Sequence, residues 1–376
     1  MPYLDESSGM EAVEWSGRAM YALGQLEGSL RHLSSAARSI FAGKLLKACL
    51  MIALRQEGHA FTHTRFHAWF AGLATLSDAV PRKGRPPRAV CLAILTELGH
   101  SPWEPLSGLA LSLREAFLAP QDFASPEAHQ EAFQVVREAG ALTARLVSQL
   151  SLGNPSPVVV LRRLQKEMKE SLQFAPRKPE PDLKRPLDLN AECGLSPPLW
   201  ALDLFVGQWL GSSGGWLPAL PCPGLVRAQP DGGDARPSIP EATHLFEAIS
   251  TLLDLLAEAS KQAQFIEPRP PQFRSSSRAP DLFALIAGFG PLRSSQLETM
   301  LSASRLGIRS MTSALEEAHL IDRRRIAGSH LFEARSHLER SSSVAVISEA
   351  AFSPAALDEF EASLAALDRL LPDEKD

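Results

Sequence analysis

Arginine and hydroxyl side chains suited to DNA contacts cluster between residues 305 and 313. Apolar residues at helical spacing, Ile308, Met311 and Leu315, predict a helix from about residue 308 to residue 318 with one buried face. Guanidinium groups can bind guanine or phosphate, and hydroxyl groups suit phosphate oxygens. The side chains predicted to point outward, toward a major groove, are Arg305, Arg309, Ser310, Thr312 and Ser313.

Three consecutive arginines, Arg323, Arg324 and Arg325, follow in a predicted β-hairpin whose turn is expected at residues 327–329. We expect them at the tip of the hairpin. Three cations beside DNA phosphates would make binding strongly dependent on salt concentration. A solvated arginine cluster without a nucleic-acid partner remains the alternative.

The elements that would carry these residues are predicted around them. One helix covers residues 280–287 and ends at Gly288 and Gly290, and a second covers residues 294–301, with Ser295 and Glu298 at the spacing of a capping box. The helix from residue 308 and the two hairpin strands complete the order of a winged helix-turn-helix domain over residues 280–334. Because winged helices also serve as protein-interaction modules, double-stranded DNA and a protein remain alternative partners.

The rest of the chain is predicted to be mainly α-helical, since Ala and Leu are abundant and aromatic residues make up only 7% of the sequence. The predicted organisation is an N-terminal helical region at 1–174, a Pro-rich linker at 175–198, a second helical part of the body at 199–266, a hinge at 267–279, the winged helix at 280–334 and an acidic tail at 335–376. The tail is expected to hold one amphipathic helix at about 354–371.

The net charge of −5 would not by itself indicate a nucleic-acid partner. However, residues 272–340 contain ten arginines and seven acidic residues, whereas residues 341–376 sum to −6. Four scattered cysteines, no signal-peptide pattern and no apolar run long enough to cross a bilayer predict a cytoplasmic protein without membrane contact.

Other groups of potentially reactive residues are weaker. His59, His63 and His67 lie at intervals of four, but no acidic residue or cysteine completes a ligand set, so we expect no metal site. The basic loop at 82–88 is interpreted as a solvated loop that could assist a DNA contact. The glycine-rich residues 211–215 lack the Lys-Ser/Thr of a phosphate loop and are interpreted as a turn.

The segment 38–57, the long helical body, the hinge with its SSSR sequence and the C-terminal winged helix together resemble a family of uncharacterised helical proteins. This family is found mainly on plasmids of rhizobia and related bacteria, and its members end in a helix-turn-helix domain. It is in turn similar to Fic proteins, and in this chain the similarity rests on the residues Ala53-Leu-Arg-Gln-Glu57-Gly58. Fic proteins with an inhibitory helix have Ser or Thr, three residues, then Glu and Gly or Asn. Glu57 and Gly58 match this pattern, whereas Ala53 departs from it.

The resemblance implies a degenerate Fic-like scaffold. Active Fic enzymes need a His-Pro-Phe loop that ends in Gly-Asn-Gly-Arg, in which the His is the base and the Gly-rich turn with the Arg holds nucleotide phosphates. The nearest segment by position, residues 204–211, contains no His, Asn or Arg. We therefore expect no catalytic residues and no cofactor.

The sequence thus predicts a bacterial transcriptional regulator that binds double-stranded DNA through its winged helix. The helical body would mediate homodimerisation or sense a partner, since two-fold operators favour two-fold proteins. The alternative is a Fic-like nucleotidyl transferase, or a catalytically dead derivative that acts through protein contacts.

Overall fold

The computed structural model describes residues 6–77, 84–121, 124–150, 156–175, 197–212, 218–227, 239–267, 273 and 277–335. The described residues up to Ala334 belong to one compact unit. Nearly all of the predicted linker, most of the predicted hinge, and the acidic tail with its helix lie outside the described residues.

Helices form most of the described chain, so the expectation of a mainly α-helical protein is confirmed. The described residues before position 270 contain ten helices: α1 Glu6–Arg31, α2 Ser35–Gln56, α3 His63–Phe70, α4 Pro87–Leu98, α5 Glu104–Glu115, α6 Pro126–Leu150, α7 Pro157–Glu170, α8 Trp200–Asp203, α9 Val206–Ser212 and α10 Ile239–Ala263. None of the helices in the described ranges has both the length and the apolar character needed to cross a membrane.

Within residues 277–335, which the structure describes, three further helices and three short strands follow. They are α11 Ala279–Phe289, β1 Leu292–Arg293, α12 Ser294–Met300, α13 Arg305–Glu317, β2 Ile321–Ile326 and β3 Ser329–Ala334. The strands form one antiparallel sheet in the order β1-β3-β2. Sequence patterns predicted the hairpin but missed β1, because a two-residue strand has no detectable alternation of apolar and polar residues.

Helix α2 is the central element of the body. The hydroxyl of Ser34 accepts a hydrogen bond from the Ala37 N–H at 3.2 Å, which caps its first turn. Apolar side chains on all sides of the helix are fully buried, among them Ile40, Phe41 and Leu45. The helix ends where Gly58 adopts a positive φ of 84°, as glycine does at little cost. α2 packs against α4, α5, α8, α10 and α11.

A buried ionic cluster joins the end of α2 to two distant segments. The Glu57 carboxylate accepts hydrogen bonds from Arg85 Nη1 at 2.9 Å, from the Arg85 N–H at 3.1 Å and from Trp200 Nε1 at 2.7 Å. A second Arg85 nitrogen, Nη2, lies 2.8 Å from the half-exposed Glu131 carboxylate. His59 Nε2 lies 3.0 Å from the Arg85 carbonyl oxygen. The Glu57 charge is therefore satisfied within the core.

A second buried carboxylate, that of Asp203, lies at the end of α8. Asp203 accepts the N–H groups of Gly224 at 2.7 Å and Val226 at 2.9 Å, which ties the segment 218–227 against α8. Burial raises the pKa of Asp203 to about 8, although these N–H donors favour its charged form. Cys49 and Cys222 are buried nearby, and burial raises both thiol pKa values; Cys91 is buried as well.

We predict that Glu57→Gln lowers the free energy of unfolding by about 3–5 kcal/mol, because the Arg85 guanidinium stays buried with only a half-exposed partner. The matched control is Glu131→Gln, which removes a half-exposed carboxylate and should cost less than about 1 kcal/mol. Urea unfolding monitored by circular dichroism measures both values. Equal losses in the two variants would contradict the role given to Glu57.

Candidate functional site

Two glycines bring the backbones of α2 and α11 into direct contact. A Cβ atom on Gly43 would lie 2.7 Å from the Gly288 carbonyl carbon, and a Cβ atom on Gly288 would lie 2.8 Å from the Ile40 carbonyl oxygen. No larger residue fits at either position without moving a helix. This contact fixes α11 on the body, and α11 in turn packs against α10, α13 and β3.

The amide of Gln296 attaches α12 to the body. Its side chain is 1% exposed; Nε2 donates to the Ala116 carbonyl at 3.0 Å and to the Phe70 carbonyl at 3.4 Å. Its Oε1 accepts the Arg293 N–H at 3.0 Å, the reciprocal bond of a capping box. The predicted capping box of Ser295 and Glu298 was therefore wrong: α12 begins at Ser294 as predicted, so its N-cap is Arg293 and its third residue is Gln296.

Helix α13 begins at Arg305, three residues before its predicted start. The hydroxyl of Ser304 accepts the Gly307 N–H at 3.2 Å and caps the helix. Ile308 and Leu315 face inward as predicted. α13 packs chiefly on α11, α12 and β2, and its other side is open to solvent.

Four of the five residues predicted to point outward on α13 are accessible. Arg305, Arg309 and Ser310 are exposed, and Ser313 is half-buried. Thr312 is only 1% exposed, and its hydroxyl donates to the Arg309 carbonyl at 3.1 Å, so its outward placement was wrong. The helical period places Thr312 on the same side as Ile308 and Leu315. The side chain of Leu306 is 75% exposed beside these residues.

The three hairpin arginines do not lie at the tip, and they do not share one face. They belong to β2, whereas the turn consists of Ala327 and Gly328, both with positive φ. Successive side chains of a strand point to opposite faces, so Arg324 is separated from its two neighbours. Arg324 lines a cavity together with residues of α2 and α3. The prediction of one arginine cluster was wrong for this reason.

Arg323 is largely neutralised. Its Nε and Nη2 atoms each lie 2.9 Å from one oxygen of the Glu316 carboxylate, and its guanidinium lies over the Phe332 ring. Arg325 is exposed, pairs in register with His330 across the hairpin and has no acidic partner of this kind in the described residues. Arg325 is therefore the accessible cation on this face of the ribbon.

The other motifs noted in the sequence lie at helix ends, in the buried ionic cluster or in contacts with the main chain. Gly58 ends α2, and Glu57 belongs to the buried cluster. Arg85 of the basic loop is buried and Arg88 donates to the Ala119 carbonyl, so these two residues are not a solvated basic surface. Arg82 and Lys83 lie outside the described residues, as does most of 211–215. Among the described residues, no group of three His, Cys, Asp or Glu side chains could hold a metal ion.

No family model and no curated protein matches this chain.

We predict that Gly288→Ala and Gly43→Ala each lower the free energy of unfolding by about 1–3 kcal/mol or more, because the added methyl group would overlap backbone atoms. Gly108→Ala on the exposed face of α5 is the control, since its Cβ would meet only the flexible Glu104 side chain, at 4.0 Å. It should stabilise the protein by about 0.5–1 kcal/mol, as alanine favours helix. Thermal and urea unfolding test this, and a neutral Gly288→Ala would refute the close helix contact.

Proposed function

We propose that residues 280–334 form a winged helix-turn-helix that binds double-stranded DNA, and that the protein is a bacterial transcriptional regulator. The order of elements from α11 to β3, with a three-stranded sheet in the order β1-β3-β2, supports this proposal. In helix-turn-helix proteins the second helix of the motif enters the major groove, and α13 occupies that place after α12.

The observation that carries the proposal is the open face of α13. Arg305, Arg309 and Ser310 are exposed near the N-terminus of a capped helix, where N–H groups and the helix dipole favour phosphate. Arg309 is suited to a bidentate contact with guanine. Leu306 lies among these polar groups, and an apolar side chain at a groove can contact a thymine methyl group.

The β2–β3 ribbon would contribute less to the DNA affinity than three unpaired arginines would. Arg325 is available for a phosphate contact, whereas the Arg323 charge is offset by Glu316, and Arg324, although exposed, lines the cavity beside α2 and α3. The proposed DNA contacts are therefore Arg305, Arg309, Ser310, Ser313 and Arg325. This predicts a modest salt dependence, since each phosphate contact adds about 0.9 to the slope of log K against log salt.

We further propose that the protein acts as a homodimer through α1. This helix packs on α10 with its inner face and leaves an apolar stripe exposed on the other. The stripe consists of Met10, Val13, Gly17, Met20, Gly24 and Gly28 at intervals of three or four residues, together with Tyr21 beside Met20. Small residues allow close helix packing, and a second copy of α1 is a partner that a two-fold operator would require.

No contact in the described residues favours the Fic-like alternative. The Glu57 carboxylate binds Arg85 and Trp200 in the core, which supports a packing role. The open face of α13 with Leu306 is also compatible with a protein partner. A measurement of duplex binding by fluorescence polarisation distinguishes this alternative from DNA binding.

We predict that the wild-type protein binds a short mixed-sequence duplex in fluorescence polarisation and that Arg309→Ala weakens binding by about 1–3 kcal/mol, or roughly 5- to 150-fold. Arg325→Ala should weaken binding less and lower the salt slope by about 1. The control is Arg145→Ala, which removes an equally exposed arginine from α6. Binding that is absent at low salt, or equally weakened by Arg145→Ala, would contradict the proposal.

We predict that sedimentation velocity detects a dimer and that Gly24→Leu converts it to a monomer. The new side chain has open space in a single chain but would separate two α1 helices. Glu11→Leu, on the same helix but away from the stripe, should leave the dimer intact. A dimer that survives Gly24→Leu would exclude this surface.

A further inference from the structure

A cavity of about 200 Å³ lies between the body and the β2–β3 ribbon. Its walls come from α2, α3, the end of α10, the end of α11 and the two strands. The polar and charged side chains that line the cavity include Lys44, Lys47, His63, His67, Gln262 and Arg324. The cavity is smaller than the roughly 300–1,000 Å³ of drug-sized sites, which restricts it to a compact ligand.

Positive charge dominates the cavity wall. Lys44, Lys47 and Arg324 are cationic, and Glu333 is the acidic residue among the lining side chains. The Lys44 ammonium lies 2.9 Å from the Glu258 carboxylate, which is itself mostly exposed. Lys44 is 6% exposed, so removal from water makes an incoming anion attractive to it.

The pKa values reflect this crowding of cations. Burial and the Lys44 charge lower the pKa of Lys47 to about 8, although Glu258 and Glu333 oppose the shift. Burial, Lys47 and the neighbouring His63 also lower the pKa of His67 well below its usual value. The Glu258 and Glu333 carboxylates do not fully offset the positive charge of Lys44 and Lys47, and a bound anion would offset more of it.

Two hydrogen-bonding atoms at the same cavity have no partner in the described residues. His67 is 4% exposed, and its Nδ1 atom is buried without a hydrogen bond. The Gln262 Oε1 atom is likewise buried and unpaired. Unpaired buried polar atoms are costly, and a ligand with hydroxyl groups would supply a donor for the Gln262 oxygen.

We propose that this cavity binds a small phosphorylated metabolite of sugar-phosphate size, with its phosphate held by Lys44, Lys47 and Arg324 and its hydroxyl groups placed near Gln262 and His67. The alternative ligand with the same anionic group is a backbone phosphate of DNA. The burial of Lys44 and His67 favours a small molecule, because a duplex backbone does not reach the base of such a cavity. The site is independent of the proposed DNA binding.

The test is calorimetric titration of the full-length protein with ribose 5-phosphate, inorganic phosphate and ribose. We expect saturable binding of ribose 5-phosphate, weaker binding of phosphate and none of ribose. Lys47→Gln and Arg324→Gln should each weaken ribose 5-phosphate binding roughly 10- to 100-fold, the range for losing a hydrogen bond to a charged group. Arg325→Gln, the adjacent residue on the opposite face of β2, is the matched control and should bind as the wild type does.

Proton uptake gives an independent readout. The groups that face Lys47 are Lys44, Glu258, Glu333, His63 and His67. Burial and the Lys44 charge bring the pKa of Lys47 to about 8, whereas phosphate monoesters are already dianionic at this pH. A bound anion raises the pKa of Lys47, so binding near pH 8 takes up protons and affinity falls as pH increases further. The binding heat should therefore differ between Tris and HEPES, and Lys47→Gln should remove this difference.

Three results would overturn the proposal. The first is no saturable binding of phosphate or ribose 5-phosphate, and the second is equal weakening by Arg325→Gln and Arg324→Gln. The third is strong weakening of duplex binding by Arg324→Gln in a protein that ignores both phosphate compounds, which would assign Arg324 to DNA. Thermal unfolding of each variant without ligand establishes that it is folded.

Discussion

The backbone contact between Gly43 and Gly288 is the constraint on which the position of every element after α10 depends. Without Cβ atoms, α2 and α11 approach until their main chains touch, and the other sides of α11 support α13 and β3. The Gln296 amide adds a second attachment by binding main-chain oxygens after α3 and α5. The open face of α13 and the cavity wall formed by the ribbon are both consequences of these two attachments.

Local signals predicted much of the helical framework. Ser34 caps α2, Gly58 ends it and Pro240 lies in the first turn of α10, as is typical of these residue types at helix ends. Long-range contacts carry no such local signal. Where α8 ends, Asp203 binds the distant segment 218–227, and helical periodicity contains no information on that contact.

The candidate site was predictable only as a region. The helix and hairpin were found, but Thr312 was taken as outward although it lies four residues after Ile308 and three before Leu315, on the inward face of α13. The triplet 323–325 suggested one cationic patch, whereas strand alternation and the Glu316 carboxylate divide it into three different environments. Composition cannot reveal such divisions, since they depend on register. The cavity combines residues from six elements, and no short motif could have indicated it.

The pairing of α2 with α10 and α11 also bears on how the chain folds. α1 and α2 are made first, yet α10 and α11, which cover their apolar faces, lie more than half the chain away. Contacts of such high sequence separation slow folding, because the closure of a long loop must precede them. A nascent chain emerging from the ribosome therefore presents α2 partly uncovered until residues near 290 have been synthesised. Over that interval the unfinished protein is a substrate for chaperones that recognise exposed apolar surface.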